Sequence, residues 1–250
     1  MLLHGFTGSA AEWADLTPHL APQRHVIAVD LPGHGPVPAP ADPAAYTMER
    51  CVADLLAVLD GFGLEQVDLL GYSMGGRVAL HLAALAPQRV RSLILESASP
   101  GLADPAERAA RAAADDALAD TIVSQGIAWF ADYWQSLPLF ASQDALPAEA
   151  RAALRERRMH SQPLGLAGSL RGMGTGRQQS LWHRLPQLTM PTLLITGELD
   201  IKFETINRQM AQLMPAARLT CLPIAGHTAH LERPQEFAEL VVGFLRQQAS

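Results

Sequence analysis

Val67-Asp-Leu-Leu-Gly-Tyr-Ser-Met-Gly-Gly-Arg77 is the stretch that decides the fold. Val67 to Leu70 is a short apolar run of strand character, and Met74 to Ala86 is a helical stretch that runs up to a proline. Between them Gly71-Tyr72-Ser73-Met74-Gly75 spells G-x-S-x-G. The motif alone is common, but directly between a strand and a helix it has the context of a nucleophile elbow. Its outer glycines permit close backbone approach in a strained turn. That turn lifts the Ser73 hydroxyl above the sheet, onto the positive end of a helix.

Working outward, Arg24 to Asp30, Leu93 to Leu95, Leu193 to Ile195 and Leu219 to Leu222 are further short apolar runs. Most are continuous rather than alternating, the pattern of a parallel sheet covered on both faces. Met48 to Gly61 carries apolar residues at helical spacing and closes on glycine. Strands alternating with helices predict an α/β fold, a mostly parallel sheet with helices on both faces. From Gly101 to Leu188 the alternation stops, and an Ala- and Arg-rich, helix-favouring stretch predicts a helical cap insertion. The expected organisation is a core of residues 1–100 and 189–250 with a cap of 101–188. Leu2-Leu3 is all that precedes the loop His4-Gly5-Phe6, so N-terminal edge strands are expected to be missing and the start codon to lie further upstream.

The 250 residues are 48% hydrophobic, enough for one large domain that needs no disulfide or metal staple. A net charge of −6 argues against general nucleic-acid binding. Cys51 and Cys221 lie far apart, outside any metal-ligand spacing, so no metal is expected. Neither a membrane-length apolar run nor a secretory leader pattern is present, which predicts a cytoplasmic protein without a membrane partner. The Gly-rich piece Arg171 to Arg177 follows no strand and lacks the ending of a phosphate loop, and no cofactor is implied.

A serine needs a base, and the base an orienting acid. In this fold they follow as acid, then histidine. Asp200 stands just beyond the strand Thr192 to Thr196, and His227 follows Leu219 to Leu222 in Ala225-Gly226-His227. His230 is the rival base and Glu96 the rival acid, while His34 reads as a loop-structuring histidine. Backbone donors for developing negative charge are expected from Met74, after the serine, and from Phe6 in the HG-type loop. Together these elements specify an α/β-hydrolase fold.

Residues 151–177 hold six arginines against Glu156, a local charge of +5 in a net acidic chain. Two readings stand: a solvated helix face, or guanidinium forks directed at substrate carboxylates. Arg77, one helical turn after Ser73, supports the second.

Gly71 to Arg77, Glu96-Ser97-Ala98-Ser99-Pro100-Gly101-Leu102, the turn Gly174 to Gln178, and Ala225 to His230 together resemble the 2-succinyl-6-hydroxy-2,4-cyclohexadiene-1-carboxylate synthase (MenH) family of menaquinone biosynthesis. The resemblance covers nearly the full length. It implies a lyase that eliminates pyruvate from 2-succinyl-5-enolpyruvyl-6-hydroxy-3-cyclohexene-1-carboxylate, a small polycarboxylate. It further implies Ser73, His227 and Asp200 as a general-base triad and Phe6 and Met74 as the oxyanion hole. Arg77, Arg111 and Arg158 would be carboxylate clamps, with Arg155 and Arg157 close rivals of the last, and Tyr72 and Trp134 pocket walls. Two alternatives stand beside it: a hydrolase of a carboxylic ester or C–C bond of an anionic substrate with Ser73 as nucleophile, and a non-catalytic binding protein.

Overall fold

The computed structural model describes residues 1–248. Strands β1 (Leu2–Leu3), β2 (Ala28–Val29), β3 (Val67–Tyr72), β4 (Val90–Glu96), β5 (Thr192–Gly197) and β6 (Ala217–Leu222) form one parallel sheet in the order β2-β1-β3-β4-β5-β6. The helices are α1 (Thr17–Leu20), α2 (Met48–Gly61), α3 (Met74–Leu85), α4 (Pro105–Gln135), α5 (Ala148–Met159), α6 (Pro163–Met173), α7 (Ile201–Leu213), α8 (Ala229–Glu232) and α9 (Pro234–Gln247).

The strands are continuously apolar because successive side chains enter different cores. Leu69, Leu93, Leu95 and Leu194 pack into the core that holds the buried faces of α2 and α3 and Met210 of α7. Leu70, Ile94, Leu193 and Ile195 pack into the other, with Trp13, Leu20 of α1, and Phe237, Val241 and Phe244 of α9.

The run Arg24 to Asp30 contributes only Ala28–Val29, a shorter strand than the apolar run suggests, and it lies on the edge of the sheet. Pairing ends there as the chain turns, and the Asp30 carboxylate accepts from the Ala10 N–H at 2.7 Å. Leu2–Leu3 is interior, registered against Ala28–Val29 on one side and Leu70–Gly71 on the other.

Between Gly101 and Leu188 the described residues contain no strand. Helix α4 is broken at Gly126, whose φ is 81°. It packs on α6 through Ala119, Ile122, Phe130, Leu166, Ala167 and Leu170, a small core of its own. Within the basic segment, Arg155, Arg171 and Arg177 pair with Asp132, Asp120 and Asp116 of α4 on the surface. The solvated-face reading therefore holds for these three. No described helix is long and apolar enough to cross a membrane.

The elbow fixes the first turn of α3 hard against β1: a Cβ at Gly75 would strike the carbonyls of Leu3 and His4. Backbone cannot yield as a flexible side chain does. Gly75→Ala is expected to cost about 2–3 kcal/mol and lower the melting temperature by roughly 5–10 °C. An unchanged melting curve would show that the elbow has room to spare.

Candidate active site

Ser73 caps α3 with φ 49° and ψ −105°, a conformation few non-glycine residues adopt. Its N–H donates to the carbonyl of Glu96 at 2.8 Å, tying the elbow to the neighbouring strand. The Ser73 hydroxyl lies 3.0 Å from His227 Nε2, and His227 Nδ1–H donates to Asp200 Oδ2 at 2.7 Å. Asp200 follows β5 and caps α7, while His227 lies in the loop after β6. All three therefore stand beyond the carboxyl ends of parallel strands, where open α/β sheets bind ligands. Asp200 and His227 are buried, with Phe203 and Phe140 against the imidazole at 4.5 and 5.9 Å between ring centres. A buried carboxylate fixes the tautomer that leaves Nε2 free to take the serine proton.

Phe6 and Met74 line the same cavity as Ser73. Phe6 N–H, in the loop after β1, has no acceptor among the described residues. Met74 N–H belongs to the first turn of α3, where amides have no intrahelical partner. The surrounding loops are clamped by two further carboxylates. Glu12 accepts from Gly5 N–H at 3.2 Å, and Glu232 accepts from Gly226 N–H at 2.7 Å and from the Thr228 hydroxyl at 2.6 Å.

The space above Ser73 has two lobes. One, of about 550 Å³, contains Ser73, His227, Arg77, Arg111 and Lys202. The other, of about 360 Å³, contains Arg157, Arg158, Gln143 and Thr228. Phe6, Tyr72, Trp134 and Phe140 border both. The structure thus brings Tyr72, Arg77, Arg111 and Trp134 into the serine's lobe and sets Arg158 in the adjoining one.

Arg77 donates to the Met173 carbonyl at 2.7 Å and to Gln178 at 3.1 Å. Burial, with Arg111 nearby, lowers its pKa to about 10, so it stays cationic at neutral pH. Arg111 is half-exposed and donates to the buried Asp115 at 2.8 Å. Arg158 is buried, 5.7 Å from the centre of the Phe140 ring. Arg155, by contrast, points to Asp132, and Arg157 lines the second lobe beside Arg158.

The rivals weighed in sequence do not join the serine. His230 Nδ1 lies 2.8 Å from Glu96 Oε2, so the rival base and the rival acid pair with each other. His34 Nδ1 faces the Pro32 carbonyl at 3.1 Å.

Burial depresses His34 to about 3 and His81 to about 4, from an ordinary 6.5. His230 moves the other way: burial opposes its charge, but Glu96 and Glu12 outweigh that and raise it to about 10. An imidazole depressed in the fold is protonated more readily in the unfolded chain. His34 and His81 therefore withdraw stability as pH falls from 6.5 towards 4 and 3. His230 contributes fully below 6.5 and loses its contribution as pH rises to about 10. The urea midpoint is expected to peak at about pH 6–7 and to fall on either side. A midpoint flat from pH 5 to 9 would contradict these shifts.

Sequence reasoning missed Glu12, Glu232, Phe140, Phe203 and Lys202, and it met Gln178 only as the end of the turn that carries the resemblance. Glu232 had a local signal, four residues after Thr228 beside the candidate histidine. Phe203 and Lys202 had one in their place just after Asp200. Glu12 and Phe140 had none.

The α/β hydrolase fold family model matches residues 1–234. A Bacillus subtilis (strain 168) protein that carries the name 2-succinyl-6-hydroxy-2,4-cyclohexadiene-1-carboxylate synthase provisionally is 44% identical over 97% of this chain and 88% of its own length. The synthase of that name from Serratia proteamaculans (strain 568) is 34% identical over 97% of this chain and 91% of its own. The structure of MenH from S. aureus superposes with a TM-score of 0.96 at 37% identity, covering 100% of this chain and 93% of that one.

Proposed function

The chain belongs to the 2-succinyl-6-hydroxy-2,4-cyclohexadiene-1-carboxylate synthase family of enzymes on the α/β-hydrolase fold, and from that premise we propose that it is a lyase of menaquinone biosynthesis. It releases pyruvate from 2-succinyl-5-enolpyruvyl-6-hydroxy-3-cyclohexene-1-carboxylate. The observation that carries this reading is the hydrogen-bonded Ser73–His227–Asp200 chain opening into a cavity that also holds Arg77 and Arg111. A simple apolar ester has no use for those guanidinium groups, whereas a substrate with three carboxylates does.

Ser73 Oγ, its proton held by His227, takes the ring proton alpha to the succinyl ketone. Removing that proton places charge on the ketone oxygen, which Phe6 N–H and Met74 N–H receive. The electron pair then moves through the ring double bond and breaks the ether C–O bond. The departing enolpyruvate gains a proton on its methylene carbon and leaves as pyruvate, and the ring becomes a conjugated diene. Arg77, Arg111 and Arg158 bind the carboxylates, while Tyr72 and Trp134 form the wall between the lobes. In the same reading residues 101–188 are a cap over a core made of 1–100 and 189–250.

The test supplies the enolpyruvyl precursor and follows pyruvate and diene absorbance together, with a neutral aryl ester as comparison. Equal yields of pyruvate and diene support the lyase. Efficient ester turnover with neither product would replace it with an ester or C–C hydrolase that uses Ser73 as nucleophile.

A further inference from the structure

Below the Ser73–His227–Asp200 chain lies a second buried ionic cluster that the reaction as written does not use. His230 sits between two carboxylates. Glu96, fully buried, receives both the ring Nδ1–H, at 2.8 and 2.9 Å from its two oxygens, and the His230 backbone N–H at 3.0 Å. On the other side Nε2 faces Glu12 Oε1 at 3.7 Å, an ion-pair distance. An unprotonated Nε2 there would aim its lone pair at a carboxylate inside the protein, where such repulsion is poorly screened. Protonated at both nitrogens, the ring is instead a cation between two anions.

Both glutamates also hold active-site backbone, Glu12 with its carboxylate and Glu96 with its main-chain carbonyl. Glu12 Oε2 accepts from Gly5 N–H at 3.2 Å, and the adjacent amide is that of Phe6. Glu96, through its carbonyl, accepts from Ser73 N–H at 2.8 Å. Glu12 in addition lines the lobe that contains Arg158. A bare carboxylate there would repel an anionic ligand, so its charge needs a partner.

We propose that His230 is a permanently protonated positioning residue: as an imidazolium between Glu96 and Glu12 it holds the Glu12 carboxylate on Gly5 N–H, aims the neighbouring Phe6 N–H at the developing oxyanion, and neutralises Glu12 towards the substrate. The inference rests on reading Phe6 as an oxyanion donor.

The groups facing His230 come from each element packed around it. Glu12 and Trp13 come from the turn after the Phe6 loop, Tyr72 from β3 and Glu96 from β4. Phe237 comes from α9. Glu12 and Glu96 are the charged members, which is why the cation persists: its pKa is raised to about 10 against the cost of burial. The same contacts hold Glu12 below the usual carboxylate range, since His230, His4 and Gly5 N–H outweigh the burial that would raise it.

Two measurements test this. In the first, the His230 ring nitrogens of the free protein are followed by ¹⁵N NMR from pH 6 to 9, which requires no substrate and so does not depend on the lyase assignment. Both nitrogens are expected to remain protonated throughout; a titration centred near 6.5 would overturn the proposal. In the second, Glu12→Gln keeps the size and one acceptor oxygen but removes a charge. On whichever substrate the enzyme turns over, kcat is expected to fall about tenfold, a fraction of the loss from deleting an oxyanion donor outright. KM is expected to stay within about twofold, and the alkaline limb of kcat to move to lower pH as His230 loses an anion. An unchanged kcat and pH profile in a folded Glu12→Gln protein would reduce the cluster to a structural tie.

Discussion

Replacing Ser73 with alanine is expected to lower pyruvate release by about 10³–10⁴-fold while leaving substrate affinity within about threefold. The magnitude follows from what the hydroxyl is asked to do. A positioned general base contributes roughly 10²–10⁴-fold, whereas losing a covalent nucleophile in a serine triad costs about 10⁶-fold. Ser73 stands 3.0 Å from His227, at the end of the hydrogen-bonded chain that begins at Asp200. Affinity survives because the arginines and aromatic walls remain. Stopped-flow turnover together with calorimetric binding of the precursor separates the two quantities. A fully active Ser73→Ala enzyme would end the proposal, and a loss near 10⁶-fold with a trapped covalent adduct would transfer it to nucleophilic chemistry.

Arg77→Ala is the second large effect. The guanidinium is fastened to the Met173 carbonyl and Gln178, and it lies one turn from Ser73 on the same helix. Truncating one partner of a desolvated charge pair typically costs about 2–5 kcal/mol. That corresponds to a fall in kcat/KM of roughly 30- to 5000-fold. Arg77→Lys is expected to recover only part, because it retains charge but not the two-pronged geometry. Arg155→Ala is the control: its partner Asp132 lies on the protein surface, so kcat/KM is expected to stay within about twofold. Equal kinetics for Arg77→Ala and Arg155→Ala would show that the cavity cation makes no contact with substrate.

The parts of this molecule that could be read in advance are those whose signals are local. The run from Val67, the G-x-S-x-G turn and the helix after it lie within twenty residues, so the elbow is a nearest-neighbour pattern. Asp200 and His227 each stand within five residues of the end of an apolar strand, and the order of acid and histidine singled them out. The illegible parts are pairings between distant segments. Glu96 and His230, 134 positions apart, looked like competitors for triad places because each taken singly has the right chemistry. Only the fold, which sets α8 against the end of β4, lets them satisfy each other beside Tyr72. In the same way the +5 segment looked uniform, while the fold divides it. Arg155, Arg171 and Arg177 find acids on the outer surface of α4, and Arg158 turns inward. Glu12 shows the limit most clearly: a glutamate in a short turn has no pattern that announces a hold on a backbone amide seven residues earlier.

Whether Ser73 removes a proton or attacks a carbonyl is decided by a kinetic isotope effect. The precursor is prepared with deuterium on the ring carbon alpha to the succinyl ketone, and pyruvate release is compared with that from the unlabelled compound. A normal primary isotope effect on kcat/KM is expected for proton removal, with one diene formed per pyruvate and no covalent mass added to Ser73. No isotope effect, with an adduct trapped on Ser73, would contradict it.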